Sequence, residues 1–243
     1  MKKKATILIS LLSIAFFLGL PLPKELFSQS DYIIIEDFQK YSGNPFSVWK
    51  SRDDIKQATP VYKIIQEDGK KFLRASTVNV NNSVQLGLPN VKWNIKTYPW
   101  LSWEWRARIL PDGGNERSGS TNDSAAGLYV IYQTKTVPLV GWQYQPANWI
   151  KYVWSTTLPV GTVIPRKITK AGFEIEGRYV VVASGKQDLG QWIIIKRNVI
   201  DDYQKFFSKK PPYKSMMIGI LTDSDNTKSK AEADYGVIMA SKN

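Results

Sequence analysis

The sequence predicts an all-β protein, a two-sheet antiparallel β-sandwich with one short helix near 199–207. Three observations point there. From residue 31 the chain breaks into short runs rich in Val, Ile, Tyr and Trp, separated by turn signals such as Glu67-Asp68-Gly69, Pro111-Asp112-Gly113-Gly114 and Ser184-Gly185. Strands do not alternate with helices in a βαβ rhythm, so a parallel doubly wound sheet is not expected. A chain of 243 residues, 43% hydrophobic and 12% aromatic, is long enough and apolar enough for one large core.

In chain order, residues 1–30 stand apart. Lys2, Lys3 and Lys4 precede the uncharged apolar run 5–20, Pro21 and Pro23 end it, and Ser28-Gln29-Ser30 offers small residues for cleavage. This is the pattern of a secretory signal peptide, and sixteen apolar residues fall short of the roughly 20 that span a bilayer. An exported protein, periplasmic or secreted, is expected, with membrane attachment only through an uncleaved signal segment. Residues 31–243 then form a single domain. Ten strands are predicted: 32–38, 61–66, 71–77, 100–109, 127–133, 148–155, 178–184, 191–198, 216–222 and 235–240. The helix VIDDYQKFF (199–207) carries Asp201 and Asp202 in its first turn, and Lys209, Lys210, Pro211 and Pro212 follow its end. Two long connections break the run of short turns. The composition of GGNERSGSTNDS (113–124) favours disorder, whereas TKTVPLVGWQYQPAN (134–148), with Trp142 and Tyr144 between prolines, favours a shaped loop.

The missing residue types narrow the chemistry. With no cysteine and no histidine, disulfides, thiolate chemistry, Ser-His-Asp and Cys-His catalysis and the common zinc sites are all excluded. An enzyme would have to work with carboxylates, tyrosine, lysine or arginine, which leans the reading away from catalysis. The net charge is +12; removing residues 1–30 takes away four lysines and one glutamate and leaves +9. The lysines are spread out, with only Lys209-Lys210 adjacent in the mature part, so nucleic acid is not an expected partner.

Strand alternation sorts WLSWEWRARI (100–109) into two faces. Leu101, Trp103, Trp105, Ala107 and Ile109 form an unbroken apolar set and belong to the core. Ser102, Glu104, Arg106 and Arg108 take the other face, where Glu104 and Arg106 are spaced for an ion pair. The same rule puts Trp149, Lys151, Val153 and Ser155 opposite Ile150, Tyr152 and Trp154.

Several stretches carry a family likeness: LSWEWRAR (101–108), NDSAAGLYVIY (122–132), IKYVWS (150–155), VVVASG (180–185), WIIIKRNVIDDYQKFF (192–207), IGILTDSDNT (218–227) and ADYGVI (233–238). Their order and spacing resemble domain of unknown function 3047, an uncharacterised bacterial family, from about residue 33 to the end. The resemblance implies an exported β-sandwich without an assigned activity, and Val237 stands where the family pattern implies an aspartate. A looser similarity links the chain to jelly-roll carbohydrate-binding modules, through the acidic-aromatic opening strand IIEDF (34–38); a jelly-roll or galactose-binding-like topology is what it implies. It also implies calcium held by carboxylates such as Glu36.

No other cofactor is indicated. Asp223, Asp225 and Asn226 in TDSDNTKSKAEAD (222–234) offer oxygen ligands of the kind calcium prefers. An EF-hand is excluded, because Lys228 occupies the glycine position and no helices flank the loop. The functional reading is non-catalytic binding of a glycan or other polar ligand on an open sheet face, by Glu104, Arg106, Lys151 and Trp149 with loop aromatics Trp142 and Tyr144. A polysaccharide-acting enzyme, glycosidase or lyase, is the alternative, with Glu104 and Asp123 as the candidate carboxylate pair. A structural protein that binds an envelope component is the third.

Overall fold

Ten alternating apolar runs pair into sheets because each half-apolar strand must bury one face against another layer. The computed structural model describes residues 31–243 except 52–54, 80–85, 134–136, 140–141, 145–146, 171 and 214. The segment read as a signal peptide, 1–30, lies outside the described residues. In order, the elements are β1 (Tyr32–Glu36), β2 (Lys50–Ser51), α1 (Ile55–Val61), β3 (Tyr62–Glu67), β4 (Lys70–Val78), β5 (Leu86–Val91), β6 (Trp100–Ile109), β7 (Ala126–Gln133) and β8 (Val137–Leu139). There follow β9 (Trp142–Tyr144), β10 (Ala147–Ser155), β11 (Val163–Lys170), β12 (Phe173–Ser184), β13 (Ile193–Asn198), α2 (Val199–Phe207), β14 (Ser215–Leu221) and β15 (Lys230–Ser241).

The strands make two layers. A six-stranded sheet runs β13-β6-β15-β4-β3, with β1 added to β15; a seven-stranded sheet runs β11-β12-β10-β7-β14-β5-β2. Strand β15 divides its edge at an irregularity between Tyr235 and Ile238, giving 230–235 to β4 and 238–241 to β1. The core lies between the layers, where Trp103 meets Tyr152 with ring centroids 5.1 Å apart and Trp105 meets Trp154 at 6.3 Å. Leu101, Trp103, Trp105 and Ala107 are buried as the alternation requires. Ile109 departs from it and is exposed, because it ends β6 beyond the packed layer. The structure is therefore all-β in kind, with two sheets packed face to face.

Four findings differ from the sequence reading. The sheets are not purely antiparallel: β12 pairs parallel to β10. After β10 the chain forms the β11–β12 hairpin and inserts its second strand, rather than its first, beside β10, which restores the original direction. Strands β5 and β11 contain Pro89 and Pro165 and escape a propensity reading; β11 is a sheet edge, where a missing N–H is tolerated. Helix α1 also goes unread, because its Thr59-Pro60 pair signals a turn. Finally, the 113–124 segment, whose composition favours disorder, is held down. Glu116, Asp123 and Ser124 are buried, and Asn115 N donates to Thr121 O (2.6 Å) across its own loop. In 134–148, strands β8 and β9 pair as a small hairpin. Trp142 and Tyr144 sit in β9, but their side chains lie outside what is described.

Helix α2 spans the predicted 199–207. Asn198 caps it, its Oδ1 accepting from Ile200 N and Asp201 N, and Ser208 ends it in the left-handed region at φ 55°. Tyr203 packs on Tyr132 with centroids 4.5 Å apart, and Asp202 accepts from Tyr152 Oη (2.7 Å) and Arg197 Nε (2.8 Å). These contacts fasten α2 to β7 and β10. Among the described residues, no helix is long and apolar enough to cross a membrane.

Candidate functional site

The sequence-selected residues divide between the two outer faces of the sandwich. On the six-stranded sheet, Glu104 and Arg106 do face outward from β6, but each is already engaged. Lys70 donates to Glu104 Oε2 at 2.6 Å, while Arg106 bonds Asp234 (Nε, 2.8 Å) and Glu67 (2.9 Å). Arg74 shares both carboxylates, at 2.7 Å to Asp234 and 3.0 Å to Glu67. Arg108 bonds Glu232 at 2.6 Å. Asp234 is 0% exposed, so this lattice is anchored on a buried charge that two guanidinium groups neutralise. Hydrogen bonds from Arg106 and Arg74 hold the Glu67 carboxyl below the ordinary range. Phe72 and Trp192 cover the network edge to face at 5.3 Å. The spacing-based Glu104–Arg106 pair is replaced by cross-strand partners. The face is occupied by its own counter-charges.

Lys151 and Trp149 face outward from the other sheet, so a single ligand surface does not join them to Glu104 and Arg106. The seven-stranded sheet presents an aromatic row across three adjacent strands. Tyr129 of β7, Lys151 of β10 and Tyr179 of β12 stand in register, with Trp149 two residues along. Trp149 lies with ring centroids 5.6 Å from Tyr129 and 5.4 Å from Tyr179. Its position requires Gly177 beneath it, where a methyl group would fall 2.0 Å from Trp149 Cζ2. All three rings are half-buried, and the Arg166 guanidinium extends the row at 5.1 Å from the Tyr179 centroid.

Lys151 is the foundation of this face rather than part of its surface. It is 1% exposed; its stem passes over Gly127, and its ammonium donates to Ser124 Oγ (3.0 Å) between the Tyr129 and Tyr179 rings, 5.5 and 5.3 Å away. Burial by itself disfavours its charge, but the tyrosines and the Asp223 and Glu116 carboxyls outweigh that and keep it protonated. Glu116 reaches under the loop to accept from Ser155 Oγ at 2.6 Å, while its other oxygen is buried without a partner. Burial raises its pKa above the ordinary value.

At the end of the same sheet, where β7 begins and β14 ends, Asp123, Asp223 and Asp225 place carboxylate oxygens within 4.8 Å of one another. Asp123 holds the 225–228 turn, accepting from Thr227 N and Thr227 Oγ1 (both 2.6 Å) and from Asn226 N (3.3 Å). Burial, reinforced by repulsion from Asp225 and Asp123 and opposed by Lys151, raises the Asp223 pKa to about 7. Of the metal candidates, Asp223 and Asp225 come together. Asn226 contributes its backbone N–H to Asp123. Glu36 lies elsewhere and is satisfied by Phe38 N (2.9 Å), Tyr41 Oη (2.7 Å) and Trp49 Nε1 (3.0 Å). The candidate catalytic carboxylates also separate: Glu104 is paired with Lys70 over one sheet, whereas Asp123 caps a turn at the end of the other.

Sequence reasoning missed Gly177, Tyr179 and Glu116. A glycine inside the β-rich run FEIEGRYVVV signals close approach of another group, and that signal was there to be read. Nothing local signals that Glu116 folds back under its loop.

Fold and site together define a two-sheet β-sandwich with one ionic and one aromatic outer face. The chain belongs to the family described as Protein of unknown function (DUF3047), which matches residues 48–239. No curated protein matches the sequence. Solved structures similar in fold include the family 11 carbohydrate-binding module of the cellulosomal cellulase Lic26A-Cel5E of Clostridium thermocellum, at 10% identity over 88% of this chain and 95% of that one, TM-score 0.43. Endoglucanase 3 from family GH12 of Trichoderma harzianum is similar at 10% identity over 89% and 100%, TM-score 0.41. The K3 cleaved adhesin domain of Lys-gingipain from Porphyromonas gingivalis is similar at 13% identity over 86% and 98%, TM-score 0.36.

Proposed function

We propose that this is an exported, non-catalytic binding protein that takes a polysaccharide chain across the outer face of its seven-stranded sheet. One observation carries the reading: Tyr129, Trp149 and Tyr179 form a half-buried row with successive centroids 5.6 and 5.4 Å apart, seated on Gly177 and a fixed lysine. Sugar rings present patches of C–H that stack on aromatic faces, and their hydroxyls need donors and acceptors at the margin. Arg166 stands at one end of the row, where one of its N–H groups donates to the Glu116 carbonyl and its remaining N–H groups are the donors this reading assigns to that margin. Neighbouring rings are inclined by 58° and 42°, which suits a single chain better than a flat crystalline surface. The lattice of Asp234, Arg74, Arg106 and Glu67 on the other face serves the fold.

The test is affinity electrophoresis of the purified protein in gels containing neutral and acidic polysaccharides. Trp149→Ala is expected to reduce retention at least tenfold, whereas Arg108→Ala on the opposite face leaves it unchanged. Release of reducing or unsaturated ends from the retained polysaccharide would replace the binding reading with an enzymatic one. No retention by any polysaccharide in the panel would remove the glycan and leave a protein partner in the envelope.

A further inference from the structure

Two separate segments supply the acidic corner: Asp123 lies in the 110–125 connection, three residues before β7, and Asp223 and Asp225 open the turn after β14. Asp123 is accounted for by the turn it caps. The other two carboxylates are not. Asp223 is 6% exposed, and the one described side chain that shares a hydrogen bond with its carboxyl is another acid, Asp225. Asp225 Oδ1 is buried and has no hydrogen-bond partner. Among the described residues, no lysine or arginine forms an ion pair with any of the three, and the nearby Lys151 ammonium gives its hydrogen bond to Ser124. Three converging carboxyls, largely withdrawn from water, are costly to ionise together unless a cation neutralises them.

We infer that Asp123, Asp223 and Asp225 bind a divalent cation of the calcium type, which fastens the 110–125 loop to the 222–229 turn. The ligand set is oxygen only, as a hard cation requires. Calcium holds its oxygens at about 2.3–2.6 Å, so two ligands of one ion lie at most about 5 Å apart. The three carboxylates, all within 4.8 Å, meet that limit without rearrangement of the chain. The site is independent of the glycan reading: it involves neither Trp149 nor Tyr179 and would exist in a protein that bound no sugar.

The experiment compares the purified protein with Asp225→Asn, a partly exposed position whose side chain holds no other element in place. Both are stripped with EDTA and melted with calcium chloride, or with sodium chloride at matched ionic strength. A ligand that binds only the native state at a hundredfold excess over its Kd raises the melting temperature by roughly 5–10 °C in a domain of this size. That rise is expected for the unaltered protein with calcium and not with sodium. In Asp225→Asn the response should fall at least fivefold, while its melting temperature in EDTA equals or exceeds that of the unaltered protein. Terbium luminescence sensitised by the nearby tyrosines and displaced by calcium gives a second readout. No calcium response in the unaltered protein, or an equal response in Asp225→Asn, overturns the inference.

Discussion

Trp149 lies over Gly177 so closely that a methyl group there would overlap its ring, at 2.0 Å from Cζ2 and 2.2 Å from Cε2. The conformation of the tryptophan on the aromatic face is thus set by the absence of a side chain on the next strand. Gly177→Ala is expected to tip the ring off the sheet, at a cost of about 1–3 kcal/mol by overpacking. Tryptophan fluorescence should shift to the red and polysaccharide retention should weaken, even where urea unfolding shows that the fold survives. On the opposite face, Asp234 is the residue on which the arginines depend. Removing one partner of a buried ion pair leaves the others unpaired and typically costs about 3–5 kcal/mol. Asp234→Ala should therefore lose stability of that order in urea unfolding, whereas Arg108→Ala, which is more exposed and bonds mainly to Glu232, should lose under about 1 kcal/mol.

At the level of elements, α2 and the 110–125 connection are built on different physics. Helix α2 is locally determined: Asn198 caps it, acidic residues occupy its first turn, and its buried side follows from spacing. Asn198→Ala removes the acceptor for two backbone N–H groups and should cost about 1 kcal/mol, read as a fall of roughly 2–4 °C in melting temperature. The 110–125 connection is determined by tertiary burial of Glu116 between its own loop and β10, where one carboxylate oxygen goes unbonded. Because burial raises the Glu116 pKa above its ordinary 4.5, the native state holds this proton more tightly than the unfolded chain does. Its contribution is full below pH 4.5 and is lost as the pH rises through the folded value. Glu116→Gln should then match the unaltered protein near pH 4 and exceed it in melting temperature near pH 8.

Across the whole molecule, the sequence by itself determined ten of the fifteen described strands, the capped helix α2 and the core alternation of Leu101, Trp103, Trp105 and Ala107. These depend on interactions a few residues apart, or on the two-residue period of a strand. It also determined what chemistry is excluded, because absent histidine and cysteine cannot be supplied by folding. Strand order lay beyond it. That Glu104 meets Lys70 rather than Arg106, and that Lys151 faces away from both, follows from pairings between residues 34 to 160 positions apart. The parallel match of β10 to β12, the seat of Trp149 on Gly177 and the convergence of Asp123 with Asp223 and Asp225 belong to the same class. Only the tertiary structure decided these, since the free energy that selects them comes from burial and charge compensation between segments whose local sequences carry no trace of one another.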